Sequence, residues 1–89
     1  MGKWEVIFTK QALKDYQLIK EAGLTPKVMA LAALLEENPF QTPPPYEKLI
    51  GDLGGRYSRR INIQHRIVYS VNREEQQVKI LRMWTHYEK

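Results

Sequence analysis

The alternation of hydrophobic and polar positions divides the first half of the chain into one strand and two helices. Residues 4–8 alternate imperfectly and are rich in β-forming side chains, which predicts a short strand. Thr9 is placed to cap a first helix that stops at Gly23, and the apolar residues between them recur at steps of three and four. A second helix is predicted to begin with Thr25 at its cap and Pro26 at its first position, and an Asn-Pro pair ends it. We expect the two helices to form a hairpin.

The second half combines a proline-rich loop with three β-like runs. Residues 38–55 lack periodicity and contain most of the prolines, which predicts a long ordered or semi-rigid loop. The runs at residues 57–63, 67–72 and 78–87 are joined by short polar connections, which predicts an antiparallel meander. The order β-α-α-β-β-β predicts a single compact α+β domain over residues 1–89, with an antiparallel sheet that carries the helical hairpin on one face. The other face of the sheet is then available for function.

Composition supports one globular domain and excludes several classes of protein. The chain has 89 residues, of which 43% are hydrophobic and 27% charged, enough for one modest core. It has no cysteine, which excludes a disulfide framework, a thiolate metal site and a thiol nucleophile. No apolar run approaches the roughly 18 residues of a membrane span, and the first residues lack the apolar segment of a signal peptide. We therefore expect a cytoplasmic protein that does not associate with a membrane.

The charge is basic, and the arginines are concentrated in the second half. Lys and Arg number 14 against 10 Asp and Glu, which gives a formal net charge of +4. Four arginines fall close together: Arg56, Arg59, Arg60 and Arg66. A guanidinium binds phosphate through two donors at once, so this cluster favours a polyanionic partner, although a solvated strand face is the simpler alternative. Strand alternation places Arg66 on the side of the middle strand opposite Ile67.

RNA cleavage without a metal needs three kinds of group, and the chain has candidates for each. A base takes the proton from the 2′-hydroxyl, a cation stabilises the crowded phosphorane, and an acid protonates the leaving 5′-oxygen. Glu47 in the loop is a candidate base, and His86 at the end of the last predicted strand is a candidate acid or base. The arginine cluster supplies the cation. The two histidines are far apart and no cysteine accompanies them, so a zinc site is not expected.

Each candidate also has an ordinary structural explanation. A loop glutamate such as Glu47 is usually solvated, and a histidine near a chain end, such as His86, usually lies at the surface. Tyr87 is more often a packing residue than a proton donor. His65 falls in a tight turn, where a structural hydrogen bond is favoured over catalysis. Spacing alone therefore leaves the chemistry weakly specified.

Short motifs in the second half carry a family resemblance. They are Tyr-Glu-Lys-Leu at residues 46–49, Ser-Arg-Arg-Ile at residues 58–61, His-Arg-Ile-Val-Tyr at residues 65–69 and the closing His86-Tyr87. Together they resemble the YoeB/Txe branch of the RelE-type bacterial toxins, whereas the first half agrees only as one strand followed by two helices. The resemblance implies a RelE-like fold and an endoribonuclease that cleaves messenger RNA in the ribosomal A site without a metal or cofactor. One departure is that Glu88 and Lys89 follow the tyrosine with which the family chain ends.

The resemblance also implies roles for individual residues. By matching position, Glu47 would be the general base, Arg66 the group that stabilises the transition state, and His86 the general acid. Tyr87 would help to position the substrate. The residues expected close to the RNA backbone are Lys48, Arg59 and Arg60. The implied partners are the 70S ribosome with its mRNA and a cognate antitoxin of the YefM/Axe type, while self-association into a homodimer is left open.

Two other classes of function fit the same scaffold. A non-catalytic inhibitor like the ParE toxins, which act on DNA gyrase, would share the strand, the helical hairpin and the meander. A simple RNA-binding module would use the arginines together with Tyr57 or Trp84 as stacking surfaces. Neither needs the combination of Glu47, Arg66 and the closing His-Tyr pair. Cleavage that depends on these residues therefore separates the endoribonuclease from both alternatives.

Overall fold

Two helices pack against a mixed sheet in the computed structural model, which describes residues 3–49 and 56–85. The elements in chain order are β1 (Glu5–Phe8), α1 (Lys10–Glu21), α2 (Thr25–Glu37), β2 (Glu47–Lys48), β3 (Arg56–Arg60), β4 (Arg66–Asn72) and β5 (Gln77–Thr85). The predicted α+β fold with its helical hairpin is confirmed. His86 and Tyr87, which the sequence predicts at the close of the last strand, lie outside the described residues.

The five strands of the sheet lie in the order β1-β5-β4-β3-β2. Strands β3, β4 and β5 form the predicted antiparallel meander. Strand β1 runs parallel to β5, with Val6 opposite Val78, so the sheet is mixed where the sequence predicted only antiparallel pairing. A parallel pair requires a long crossover connection, and the two helices and the other strands supply it here.

The proline-rich loop ends in a two-residue strand that the sequence analysis did not predict. Glu47 pairs with Ser58, and Lys48 pairs with Tyr57, in antiparallel register. So short a strand has no hydrophobic alternation of its own to mark it. It forms because β3 lies beside it and pairs with it. The strand therefore depends on a tertiary contact, which the local sequence does not show.

Local signals set the boundaries of the helices. Thr9 Oγ1 accepts a hydrogen bond from the Ala12 amide at 3.1 Å, which confirms the predicted cap of α1. Gly23 follows α1 with a φ of +74°, a left-handed conformation that glycine adopts without strain. Thr25 is the first residue of α2, and Leu24 takes the cap position without a side-chain hydrogen bond, so the predicted start of α2 is one residue late. Within residues 3–49 and 56–85, no helix is long and apolar enough to cross a membrane.

The core lies between the helices and one face of the sheet. Its buried apolar residues are Ala12, Ile19, Val28, Leu31, Leu35, Ile61, Ile67, Tyr69, Val78, Ile80 and Met83. In β4, alternation directs Ile67 and Tyr69 into this core and therefore directs Arg66 to the opposite face. That opposite face carries the candidate site.

Asp15 joins α1 to β5 from within the protein interior. The residue is only 3% exposed, and its carboxylate accepts hydrogen bonds from Arg82 Nε at 2.8 Å, the Met83 amide at 3.0 Å and Gln11 Nε2 at 3.1 Å. Burial by itself raises the pKa of Asp15, but these donors outweigh burial and hold the pKa below its ordinary value. The carboxylate is therefore ionised at neutral pH and fixes the helix against the strand.

Candidate active site

Glu47 and Arg66 meet on the face of the sheet that points away from the helices. The register sets Glu47 opposite Ser58 and Arg60 opposite Arg66. Directly opposed residues share a face, as do alternate residues of one strand, so all four belong to the same face. Arg66 Nη1 donates to Glu47 Oε1 at 2.9 Å and to Ser58 Oγ at 3.3 Å. The fold thus joins a carboxylate and a guanidinium that are 19 positions apart in the sequence.

The contact between Glu47 and Arg66 is open to solvent. The Glu47 side chain is 67% exposed and the Arg66 side chain 23% exposed. An exposed ion pair of this kind contributes about 1 kcal/mol or less to stability, so a substrate can displace it at small cost. The carboxylate can accept a proton, and the guanidinium can donate to phosphate oxygens. The pair therefore provides two of the three groups that metal-free RNA cleavage requires.

A small cleft of about 150 Å³ surrounds this ion pair. The residues that line it are Pro44, Pro45, Glu47, Ser58, Arg59, Arg60 and Arg66. Arg60 is exposed, so its charge is available to a polyanion. With Arg60 and Arg66 against the single carboxylate of Glu47, the solvent-facing side of the cleft is basic.

Arg59 directs its guanidinium into the protein and not toward a ligand. The residue is 1% exposed. Its Nε donates to the Tyr69 hydroxyl at 3.0 Å and its Nη1 to the Pro44 carbonyl at 2.6 Å. Its Nη2 donates to the Pro39 and Gln41 carbonyls at 2.9 and 2.8 Å. A guanidinium enclosed by these acceptors presents no surface to a phosphate, so the expected RNA contact of Arg59 is corrected to a role inside the fold.

Lys48 lies on the other side of β2 from Glu47. It pairs with Tyr57, and successive residues of a strand point to opposite faces. Its side chain is exposed, but among the described residues those that line the cleft do not include it. The structure therefore does not bring Lys48 together with Glu47 and Arg66.

The end of β5 runs beside Arg66. Thr85, the last described residue, pairs with Arg66. The pairing of β5 with β4 shifts register on both sides of Val68, so alternation cannot be extended from the middle of β5 to its end. His86 and Tyr87 follow Thr85 in the sequence and lie outside the described residues, so their roles stay predictions.

Sequence reasoning overlooked Ser58 as part of the site. The residue is fully buried, and its hydroxyl accepts a hydrogen bond from the guanidinium that also contacts Glu47. A signal was present, because Ser58 is two residues from Arg60 in the same strand and therefore shares its face. Its register against Glu47, however, depends on β2, which the sequence did not predict.

His65 occupies the tight turn between β3 and β4. Its amide donates to Asn62 Oδ1 at 2.8 Å, and its carbonyl accepts from the Ile61 amide at 2.8 Å. The residue is buried, in keeping with a structural position. Over the described ranges, no three histidine, aspartate or glutamate side chains group together as a metal site would require.

The sequence of the chain as a whole matches a family of known proteins. A sequence model of the YoeB-like toxin of bacterial type II toxin-antitoxin systems matches residues 8–87. The chain belongs to this family. Toxin YoeB of Streptomyces coelicolor is 33% identical to it over 84 residues, which cover 92% of this chain and 98% of the relative. The resemblance indicated by the motifs is thereby confirmed.

Solved YoeB structures share the fold of this YoeB-family chain. The YoeB dimer of Staphylococcus aureus is 32% identical, with a TM-score of 0.80, and the match covers 96% of this chain and 99% of that one. The YoeB-YefM complex of the same organism matches with a TM-score of 0.78 at 32% identity, over the same 96% and 99%. The protein is a toxin of a type II toxin-antitoxin system, and its fold is that of the YoeB and RelE toxins.

Proposed function

We propose that this YoeB-family toxin is a ribosome-dependent endoribonuclease that cleaves mRNA in the ribosomal A site without a metal or cofactor. The observation that carries the proposal is the 2.9 Å contact between Glu47 Oε1 and Arg66 Nη1 in an open, basic cleft. Membership of the family supports it, because RNA cleavage is general among these toxins. The motifs that contain both residues are also those by which the chain resembles the family.

Glu47 acts as the general base, and Arg66 stabilises the transition state. The carboxylate takes the proton of the 2′-hydroxyl, and the resulting oxygen attacks the adjacent phosphorus while the bond to the 5′-oxygen breaks. The products are a 2′,3′-cyclic phosphate and a 5′-hydroxyl. Both described contacts of Arg66 run through Nη1, and a guanidinium has further donors on Nε and Nη2 with which to bind the phosphorane oxygens.

His86 protonates the leaving 5′-oxygen, and Tyr87 positions the substrate. Support for His86 comes from the pairing of Thr85, the residue before it, with Arg66. An imidazole can donate a proton near neutral pH, which suits it to the acid role. Arg60, exposed at the cleft, contacts the RNA backbone, and Lys48 does so from the other side of β2.

Mapping the 5′ ends of a message in a purified translation system tests this proposal. Wild type should cut the message within a codon and stall translation. Glu47→Gln, Arg66→Gln and His86→Gln should each slow cleavage by about 100-fold or more, because each removes a group that acts only in the transition state. Glu36→Gln, which removes an exposed carboxylate from α2, is the matched control and should leave the rate unchanged.

Two outcomes would contradict this proposal. Full inhibition of translation with an intact message would exclude cleavage and favour the alternative of a non-catalytic RNA-binding module. A Glu47→Gln variant that cuts at the wild-type rate would exclude Glu47 as the base, even if the message is cut.

We also propose that a YefM-type antitoxin restrains the toxin and that the free toxin is a cytoplasmic homodimer. The Staphylococcus aureus relative is known both as a dimer and in complex with YefM. The net charge of +4 and the basic cleft are complementary to an acidic segment that folds as it binds. Co-purification with a co-expressed YefM-type antitoxin at low salt tests the complex, and sedimentation equilibrium of the free toxin tests the dimer. Failure to co-purify would contradict the antitoxin complex, and a monomeric mass would contradict the homodimer.

A further inference from the structure

The proline-rich loop before β2 wraps around a single buried guanidinium. Arg59 donates to three carbonyls of this loop, those of Pro39, Gln41 and Pro44. Its guanidinium carbon also lies 5.0 Å from the ring centroid of Tyr46, a cation-π arrangement. The contacts of one side chain thus extend from the start of the loop to the residue immediately before β2.

Aromatic rings hold the same loop from a second side. The rings of Phe40, Tyr46 and Tyr57 contact one another edge to face, with centroids 6.0, 5.4 and 5.6 Å apart. Tyr57 in turn stacks on Tyr69 at 5.8 Å. The Tyr69 hydroxyl accepts from Arg59 Nε and donates to a loop carbonyl at 3.2 Å. Guanidinium, hydroxyl and rings form one connected unit, the loop anchor.

We infer that Arg59 is a positioning residue that sets the Glu47 carboxylate against Arg66. The inference rests on the proposed function of Glu47 as the base. Strand β2 has only two residues, and the Glu47 side chain is largely exposed, so its own pairing defines its position weakly. The loop anchor supplies the missing constraint. Arg59 acts from the core side of β3, while its neighbour Ser58 pairs with Glu47 on the cleft side.

Only a guanidinium can hold the loop in this way. Its planar fork reaches two carbonyls through Nη2, a third through Nη1 and a hydroxyl through Nε. A lysine has one nitrogen at the end of a flexible chain and cannot satisfy acceptors that lie in these separate directions. Arg59→Lys therefore keeps the charge but loosens the loop. A displacement of roughly 1 Å at a catalytic group is enough to slow a reaction by about 100-fold.

A double-mutant cycle with Glu47 tests this inference. Arg59→Lys should lower kcat for cleavage on programmed ribosomes by about 10- to 100-fold while changing KM by less than about three-fold. In the Glu47→Gln background the same substitution should cost less than about three-fold, because no base is left to position. An equal loss in both backgrounds would overturn the inference, since Arg59 would then act independently of Glu47.

Amide hydrogen exchange without RNA separates this inference from the proposed activity. Three amides report on the loop and β2, those of Phe40, Gln41 and Leu49, which donate to Asn38 Oδ1, the Asn38 carbonyl and the Arg56 carbonyl. Arg59→Lys should speed their exchange by about ten-fold or more while the amides of α1 and α2 keep their wild-type rates. Unchanged exchange of the loop amides would overturn the inference whatever the activity. If Arg59→Lys speeds exchange of the loop amides but wild type does not cleave RNA, the proposed function alone would be overturned.

A pair of tyrosine variants provides a matched control for the loop anchor. Tyr69→Phe removes the hydroxyl that bridges Arg59 and the loop. It should speed exchange of the same loop amides, but by a smaller factor than Arg59→Lys does. Tyr16→Phe removes a hydroxyl from α1, outside the loop anchor, and should leave loop exchange unchanged. Faster loop exchange in Tyr16→Phe than in Tyr69→Phe would contradict the assignment of the anchor to these contacts.

Discussion

Glu47 Oε1 and Arg66 Nη1 lie 2.9 Å apart although β3 separates the strands that carry them. Neighbouring strands are about 4.8 Å apart, so the two backbones are separated by roughly 10 Å, and the long side chain of Arg66 crosses the gap. Ser58 on β3 lies opposite Glu47 and accepts from the same nitrogen of Arg66. Residues on three strands therefore define the geometry of one contact.

Ser58→Ala should slow cleavage without unfolding the protein. It removes one acceptor of Arg66 Nη1, and a hydrogen bond that involves a charged group is worth about 1.5 kcal/mol or more, or roughly a ten-fold change in rate. Single-turnover cleavage on programmed ribosomes measures the effect. Ser70→Ala, on the same face of β4, is the control and should stay within about two-fold of wild type. Equal rates for Ser58→Ala and wild type would show that the serine does not orient Arg66.

Arg59→Met should destabilise the fold strongly, whereas Arg60→Met should not. Removing the Arg59 guanidinium breaks its hydrogen bonds to three loop carbonyls and to the Tyr69 hydroxyl, and of these carbonyls the one of Pro39 still accepts from Tyr69. We expect a cost of about 3 kcal/mol or more in the free energy of unfolding. Arg60 is exposed, and replacing it should change that free energy by about 0.5 kcal/mol or less. Urea unfolding monitored by circular dichroism compares the two. Similar losses for both would contradict the buried role of Arg59.

Asp15→Asn should make the free energy of unfolding less dependent on pH in the acid range. The folded state holds the pKa of Asp15 below its ordinary value, so this group stabilises the fold above the unfolded-state pKa, near 4, and the contribution is lost as the pH falls through that value and below it. Urea unfolding at pH 7 and pH 3 should therefore show a smaller difference for Asp15→Asn than for wild type. The exposed carboxylate variant Glu36→Gln is the control and should retain the wild-type difference.

Gly23→Ala should destabilise the turn between the helices through backbone conformation alone. The φ of Gly23 is +74°, and a Cβ added there would meet no atom within 4 Å, so no steric clash contributes. A left-handed alanine costs about 1 kcal/mol, and asparagine, which tolerates this conformation better, should cost less. Thermal unfolding of Gly23→Ala and Gly23→Asn shows which of the two variants is the more stable. A more stable alanine than asparagine variant would contradict this explanation.

Several features of the fold could be predicted from the sequence because their causes are local. The Thr9 cap and the Gly23 stop depend on hydrogen bonds and dihedral angles within one helical turn. The meander follows from strand alternation and short connections. Glu47 and Arg66 could be proposed as partners because the site needs a carboxylate and a cation, and the motifs that contain them resemble a known family.

The sequence by itself determined the helices, the meander and the chemical types available for the site, since periodicity and capping act between near neighbours. Only the tertiary structure decided that β1 pairs in parallel with β5, that a strand forms at Glu47, and that Ser58 contacts Arg66. It also decided between Arg59 and Arg60, which are adjacent and chemically identical. Strand alternation sends them to opposite faces, and the loop carbonyls that enclose Arg59 come from positions 15 to 20 residues away in the chain. Local patterns carry no information about partners at that distance, because the fold itself brings them together.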